Sequence, residues 1–306
     1  MSRYEIVVSA ENNPYMVWQA MLFHASCVRY LGQSPIIMVH GDGSPLLSGF
    51  ERIRSAGGRI QTAPDYRTIG GVNYPPRNTA ATLRHVQTDA DYIVLCDPDM
   101  VFLQGLPWQQ LNLAPHQISF EFVGYLDANV PVYQPAVDDV CRKINLDPQQ
   151  LRNPRYNGGV PHVIPASQQK PLSDLWLELM EQFPNVPPCP ADIPGARPRG
   201  CHIGPQKDWL CTMWALVMAS ELLSLEPVQT RFCITTQEGG RALPDLTPVG
   251  PSMIHYCYED AGFGKHRYDS NDAAEHDVWN VPPDDGTVCG NIRGQLRYAC
   301  EFYGLS

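Results

Sequence analysis

Between Tyr4 and Asp99 short apolar runs alternate with helix-patterned segments, and this alternation constrains the fold more than any other feature. "YEIVVSA" (4–10) reads as a strand, and "YMVWQAMLFHASCVRYLG" (15–32) reads as a helix, with apolar residues three and four apart and a closing glycine. "PIIMVHG", a helix around "LLSGFERIRSAGG", the short strand "RIQTA", a helix "NTAATLRHV" and the run "YIVLCDPD" continue the pattern. Strand and helix in alternation imply a mostly parallel central sheet flanked by helices, an α/β architecture.

The last of these runs, "YIVLCDPDM" (92–100), carries two carboxylates directly behind five apolar or near-apolar residues. An unpaired buried carboxylate is costly, so Asp97 and Asp99 either lie at the strand's mouth or hold a cation. In open α/β sheets that mouth is where ligands bind. The competing reading is a plain turn, since Asp-Pro commonly opens one.

The second half is less regular. "ISFEFVG" is strand-like, 135–151 carries one or two short helices, and "YNGGVPHVIP" joins a glycine turn to a β-like run. Residues 184–205, rich in Pro and Gly, read as a long surface loop. A helix "QKDWLCTMWALVMASELL" follows, then strands near "TRFCITT" and "MIHYCY" and a last helix near 290–303. Without repeats, low-complexity tracts or an obvious linker, a single domain over 1–306 is expected, with 1–103 as its ligand-binding half and 104–306 as its more irregular half.

Composition narrows the partners. A formal charge of −10 and a pI near 5.3 argue against nucleic acid or an anionic membrane, so a phosphate-bearing ligand would call for a metal as its source of positive charge. No targeting segment or membrane span is visible, which leads us to expect a cytoplasmic protein. The ten cysteines lack paired C-x-x-C spacing, so reduced structural thiols such as Cys96 and Cys211 are expected over a zinc site. Cys189, Cys201 and Cys211 cluster around the Pro-rich loop.

Hard oxygen ligands such as Asp97 and Asp99 suit Mg²⁺ or Mn²⁺. His255, in "MIHYCYEDAGFGKHRYD", is a candidate third ligand whose imidazole shifts the preference towards Mn²⁺. Lys265, ten residues on, could meet a diphosphate as a point charge. Taken singly, such a His is more often a core or turn residue and such a Lys solvated; their joint occurrence with the Asp pair favours function.

"YIVLCDPDMVF", "YNGGVPHVIP", "PQKDWLCTMWAL" and "IHYCYEDAGFGKHRYD", in that order, resemble a GT-A glycosyltransferase, and in particular the peptidyl serine α-galactosyltransferase and hydroxyproline O-arabinosyltransferase family. Cys257 stands where that family usually has Gly. The resemblance implies a UDP-sugar donor, a hydroxyl acceptor on a peptide or glycan, a bound Mn²⁺ or Mg²⁺, and retention of anomeric configuration. It would set Ser9, Ala10 and Glu11 near a uridine; the alternative for "SAENNP" is a strand-to-helix connection with Asn13 as N-cap. Arg77 matches a basic residue near the nucleotide, or is a solvated first-turn helix residue, with Asn78 favoured as that helix's N-cap.

By the same resemblance Asn157, Gly158 and Gly159 border the sugar site, with a plain β-turn as the alternative. Asp208 lies near the donor sugar or acceptor hydroxyl, as general base if the enzyme inverts, unless it is only a helix N-cap. Trp209 and Trp214 could wall a sugar face, and Gln237 and Glu238 could belong to a lid or acceptor loop. Two rivals remain at this level: a haloacid-dehalogenase-like phosphatase with Asp97 as nucleophile and Asp99 as acid/base, and a non-catalytic sugar-nucleotide-binding protein.

Overall fold

A computed structural model describes residues 2–69, 72–105, 111–124, 126, 128–129, 134–153, 158–183, 210–247, 250–270, 273 and 276–305. Strand β1 (Tyr4–Glu11) is buried from Ile6 onward and leads into helix α1 (Pro14–Leu31). Asn13 caps α1, its side chain accepting from the Met16 N–H at 2.8 Å, with Pro14 supplying a preset φ at the first turn. At the other end Gly32 adopts φ 65°, and its N–H reaches the Val28 carbonyl. The chain continues through β2 (Ile36–Gly41), α2 (Ser48–Ser55), β3 (Arg59–Pro64), the two-residue strands β4 (Thr68–Ile69) and β5 (Val72–Asn73), and α3 (Arg77–His85). Then come β6 (Tyr92–Cys96), β7 (Met100–Phe102), β8 (Gln117–Glu121), α4 (Gln134–Lys143), α5 (Pro148–Leu151), β9 (Gly159–Pro165) and α6 (Gln169–Gln182). The last elements are α7 (Leu210–Leu222), β10 (Glu226–Thr230), β11 (Cys233–Thr235), β12 (Met253–His255) and α8 (Val288–Phe302).

The main sheet has seven strands in the order β10-β8-β9-β6-β1-β2-β3. Pairs β1–β2, β2–β3 and β10–β8 are parallel, whereas β9 runs antiparallel to both β6 and β8. The expected α/β architecture with a mostly parallel central sheet is therefore present. "TRFCITT" is not one strand: β10 ends at Thr230 in the main sheet and β11 begins at Cys233 in another. The long loop 184–205 lies outside the described residues, as do the first four residues of the expected helix 206–223.

Two compact units, interleaved along the chain, make up the molecule. One comprises 1–3, 65–95 and 113–230. In it α3 and α6 meet where the Ser173 hydroxyl donates to the Ala80 carbonyl at 2.7 Å. The other comprises 4–64, 96–112 and 231–306. It holds β1–β3 with α1, α2 and α8, and also a small three-stranded sheet in the order β11-β12-β7. Among the described residues no helix is long and apolar enough to cross a membrane. No two of the eight described cysteines are bonded to one another, and Cys189 and Cys201 fall outside the described residues.

A candidate metal and diphosphate site

All five residues of β6 are buried, and the Asp97-Pro98-Asp99 step turns the chain out of the main sheet and into β7 of the small sheet. That small sheet explains how a distant histidine arrives. β12 pairs antiparallel with β7, setting Met253 against Phe102, Ile254 against Val101 and His255 against Met100. The Tyr256 N–H then donates to the Asp99 carbonyl at 2.9 Å, closing the ladder on the acidic turn itself. Strand β7, three buried apolar residues directly after the acidic pair, escaped the sequence reading.

His255 Nε2 consequently lies 3.2 Å from Asp99 Oδ1 and 3.8 Å from Asp97 Oδ2. One donor atom from each of Asp97, Asp99 and His255 falls within 4.8 Å of the others, and among the described residues this is the only such group of three. Lys265 completes the cluster, its ammonium ion-paired to Asp99 Oδ2. Asp99 is 8% exposed and Lys265 14%, while Asp97 keeps 32% of its side chain accessible.

The electrostatics follow from four charged groups at close quarters. Burial and then the charge of Asp99 push the Asp97 carboxyl up to about 6. Burial acts the same way on Asp99, but Lys265 and His255 outweigh it and hold that carboxyl well below its usual range. Burial disfavours the His255 cation, yet the adjoining Cys257 and Asp99 carry the ring well above its ordinary value. Lys265, against the same desolvation, is raised by Asp99. Two carboxylate oxygens and an imidazole nitrogen converging from a rigid turn and strand fit an oxygen-preferring divalent cation.

The other expected site residues divide. Ser9, Ala10 and Glu11 are buried at the end of β1, where the Glu11 carboxylate accepts from Asn13 Nδ2 at 3.0 Å, and Asn13 is the helix N-cap through its bond from the Met16 N–H. Arg77 starts α3 in the other compact unit; it is not solvated, being 12% exposed and paired with Glu181 at 2.8 Å. Asn78 is not the N-cap. It is the second residue of the helix, which begins at Arg77 with Pro76 in the N-cap position, and its side chain accepts from the Tyr66 N–H and donates to Asp65.

Gly158 and Gly159 are buried where protein leaves no room for a side chain. A Cβ would come within 2.9 Å of Val217 at Gly158 and 2.6 Å of the Glu121 carbonyl at Gly159. Close packing thus accounts for both glycines. Trp214, 3% exposed, presents no free face to a sugar, so the expected apolar wall is absent at that residue. Asn157, Asp208 and Trp209 lie outside the described residues. Gln237 is exposed beside β11 in a short 3-10 turn, Thr236–Glu238.

No protein-family model matches the chain, and no curated protein matches its sequence. Its backbone is nevertheless similar to solved structures. The galactosyltransferase LgtC in complex with donor and acceptor sugar analogs superposes with a TM-score of 0.51 at 13% identity, over 98% of this chain and 95% of that one. An active-site mutant of LgtC gives 0.50 at 11% identity, over 86% and 93%. The apo structure of the bifunctional glycosyltransferase WbbM gives 0.49 at 13%, over 92% of this chain and 50% of that one. The fold is thus GT-A-like.

Proposed function

We propose that this chain is a metal-dependent glycosyltransferase that moves a sugar from a UDP-sugar to a hydroxyl acceptor. The observation that carries the reading is the convergence of Asp97, Asp99 and His255 at the end of a buried strand in a GT-A-like fold. LgtC, the neighbour matched along nearly its whole length, is a galactosyltransferase described with donor and acceptor sugar analogs, which supports a nucleotide-sugar donor and a sugar or other hydroxyl acceptor here. One domain spanning 1–306 would carry both functions, donor binding in 1–103 and acceptor binding in 104–306, completed by the His255–Lys265 segment.

Asp97, Asp99 and His255 would hold Mn²⁺ or Mg²⁺, which when bound supplies Lewis-acid stabilisation of the departing diphosphate. Asp99 stays ionised across the working pH range, as a ligand must. His255 would serve as a ligand through its neutral imidazole. Lys265, ion-paired to Asp99 in the same cluster, would add fixed positive charge where charge develops on the diphosphate. Ser9, Ala10 and Glu11 line the nucleoside in this reading, with Arg77 near the nucleotide and the 157–159 turn by the sugar. Asp208 orients the sugar or acceptor, or serves as general base if the reaction inverts instead of retaining configuration.

A peptide serine, a hydroxyproline or a glycan hydroxyl would each suit as acceptor under the resemblance to the peptidyl serine and hydroxyproline transferases. The phosphatase alternative is not favoured: an acid/base at Asp99 must carry a proton, and Lys265 and His255 hold that carboxyl ionised. The test is UDP release across a panel of UDP-sugars, with and without Mn²⁺, on wild type and Asp99→Ala. Metal-dependent release with one sugar, lost in the variant, is expected. Silence across the panel together with no UDP-induced thermal shift in Mn²⁺ overturns the reading.

A further inference from the structure

Lys265 sits in a single 3-10 turn, Lys265–Tyr268, within an irregular segment that no sheet holds between Tyr256 and that turn. Something else must keep its ammonium over Asp99, because an unrestrained lysine stem loses that position to rotamer entropy. Thr236 bonds Tyr258 and Arg293 bonds the Gly262 carbonyl, but the aromatic contacts on both sides of Lys265 come from α1. Trp18, fully buried on α1, stacks on Tyr256 with centroids 6.1 Å apart and meets Phe263 and Tyr268 edge-on at 6.4 and 5.9 Å. Its indole N–H donates to the Tyr268 carbonyl at 3.1 Å. Three residues earlier on the same helix face, Tyr15 lies parallel to His266, with centroids 5.6 Å apart, planes 10° apart and its hydroxyl 3.4 Å from Nδ1. Phe263 in turn packs edge-on against Tyr256 and tilted against Tyr268.

The geometry assigns Trp18 and Tyr15 a positioning role: they form an aromatic clamp that fixes the 256–268 segment and thereby aims Lys265 at Asp99 and at the diphosphate. Residues before Lys265 (Tyr256, Phe263) and after it (His266, Tyr268) are all gripped, so the turn cannot rotate about either end. The clamp meets the proposed metal ligands only through Tyr256, whose backbone N–H bonds the Asp99 carbonyl, while His255 itself is held by the β7–β12 ladder. The diphosphate part of this assignment rests on the transferase reading above; the clamping of the segment does not.

The experiment combines calorimetric titration of UDP in saturating Mn²⁺, titration of Mn²⁺ alone, and hydrogen exchange of the 256–268 segment. The variants are Trp18→Leu, Lys265→Met and the double variant. Trp18→Leu is expected to weaken UDP binding about tenfold without weakening Mn²⁺ binding, and to leave the double variant no worse than Lys265→Met alone, since a residue acting only through Lys265 has nothing left to position. Additive losses overturn the positioning role. If Trp18→Leu does not fold, His266→Ala, at an exposed side chain, removes the Tyr15 stack and should shift UDP affinity in the same direction by a smaller factor; an unchanged affinity then overturns the role. A wild type that binds no UDP in Mn²⁺ defeats the transferase reading. In that case exchange decides the clamp: faster exchange across 256–268 in Trp18→Leu or His266→Ala, with 92–103 unchanged, sustains it, and wild-type protection in both variants overturns it.

Discussion

Two histidines in the same compact unit, one fully buried and one half-buried, show how differently one side chain can be employed. His24, in the middle of α1, is fully buried, with Nδ1 2.6 Å from the Tyr303 hydroxyl and Nε2 3.1 Å from the Ser34 hydroxyl. Both partners are neutral and can donate or accept, so a neutral ring is satisfied at both nitrogens and burial lowers its pKa to about 4. His255 faces two carboxylates and shares one of them with a lysine, and its pKa moves the other way. Hydroxyl partners make a histidine part of the core. Clustered charges of both signs are a poor way to stabilise a fold, because desolvation offsets much of their attraction, and such a cluster at a strand's mouth reads as a site for an external ion.

The sharpest way to break this contrast is to remove one member of each cluster. Asp99→Ala is expected to lower Mn²⁺-dependent UDP release by about 10³-fold, the scale of losing a principal electrostatic element of a site. Retained release with intact Mn²⁺ affinity would make the His255 cluster merely structural. His24→Ala should do the reverse. It leaves a cavity and takes one partner from each of two hydroxyls, costing about 3 kcal/mol by urea denaturation, while turnover per folded molecule stays at the wild-type level.

A smaller effect sharpens the His24 side alone. Its folded-state pKa lies below the unfolded value of 6.5, so between pH 6.5 and about 4 the unfolded chain binds a proton that the folded chain refuses. The stability contributed by the neutral ring is complete above pH 6.5 and is lost as pH falls towards 4, amounting to about 2 kcal/mol between pH 7 and pH 5. Denaturation of wild type and His24→Gln at both pH values isolates this part. The acid loss common to both includes His162, which burial lowers to about 3. Equal slopes in the two proteins would remove His24 from the account.

The parts of this picture that were legible in the sequence are those encoded locally. The strand–helix rhythm of the first hundred residues, the Asn13 cap and the Asp pair behind an apolar run all rest on neighbours a few positions apart, and the structure has them where the pattern puts them. Asn78 misled because its side chain is claimed by Asp65 and Tyr66, a tertiary use that overrides the capping preference. Trp214 misled because an apolar helix that is buried nearly all round has no outward face for a tryptophan to occupy. The clamp was invisible for a different reason: Trp18 and Tyr268 are 250 residues apart, and aromatic residues at helical spacing in α1 looked like ordinary core. His255 was found only by its company, since the pairing of β12 with β7 that delivers it has no local signal.

The smallest expected effect concerns the residue on which the resemblance fails. Cys257 follows β12, half-buried, with its thiol 3.8 Å from the His255 carbonyl. The donor atoms that lie within 4.8 Å of one another belong to Asp97, Asp99 and His255, and the cysteine sulfur is not among them. Cys257→Gly removes a weak thiol contact and adds backbone freedom at the strand's end, a loss of roughly 0.5–1 kcal/mol in stability. Mn²⁺ affinity should stay within about threefold, because the β7–β12 ladder and the Tyr256 N–H to Asp99 carbonyl bond, not the side chain at 257, hold the ligands together. Cobalt makes the distinction visible: Co²⁺ bound to wild type should lack the thiolate charge-transfer absorption that a sulfur ligand produces, and its spectrum should be unchanged in Cys257→Gly. A charge-transfer band lost on that substitution would make the cysteine a fourth ligand, move the site's preference towards softer metals, and turn this chain's departure from its resembled family into a change of chemistry.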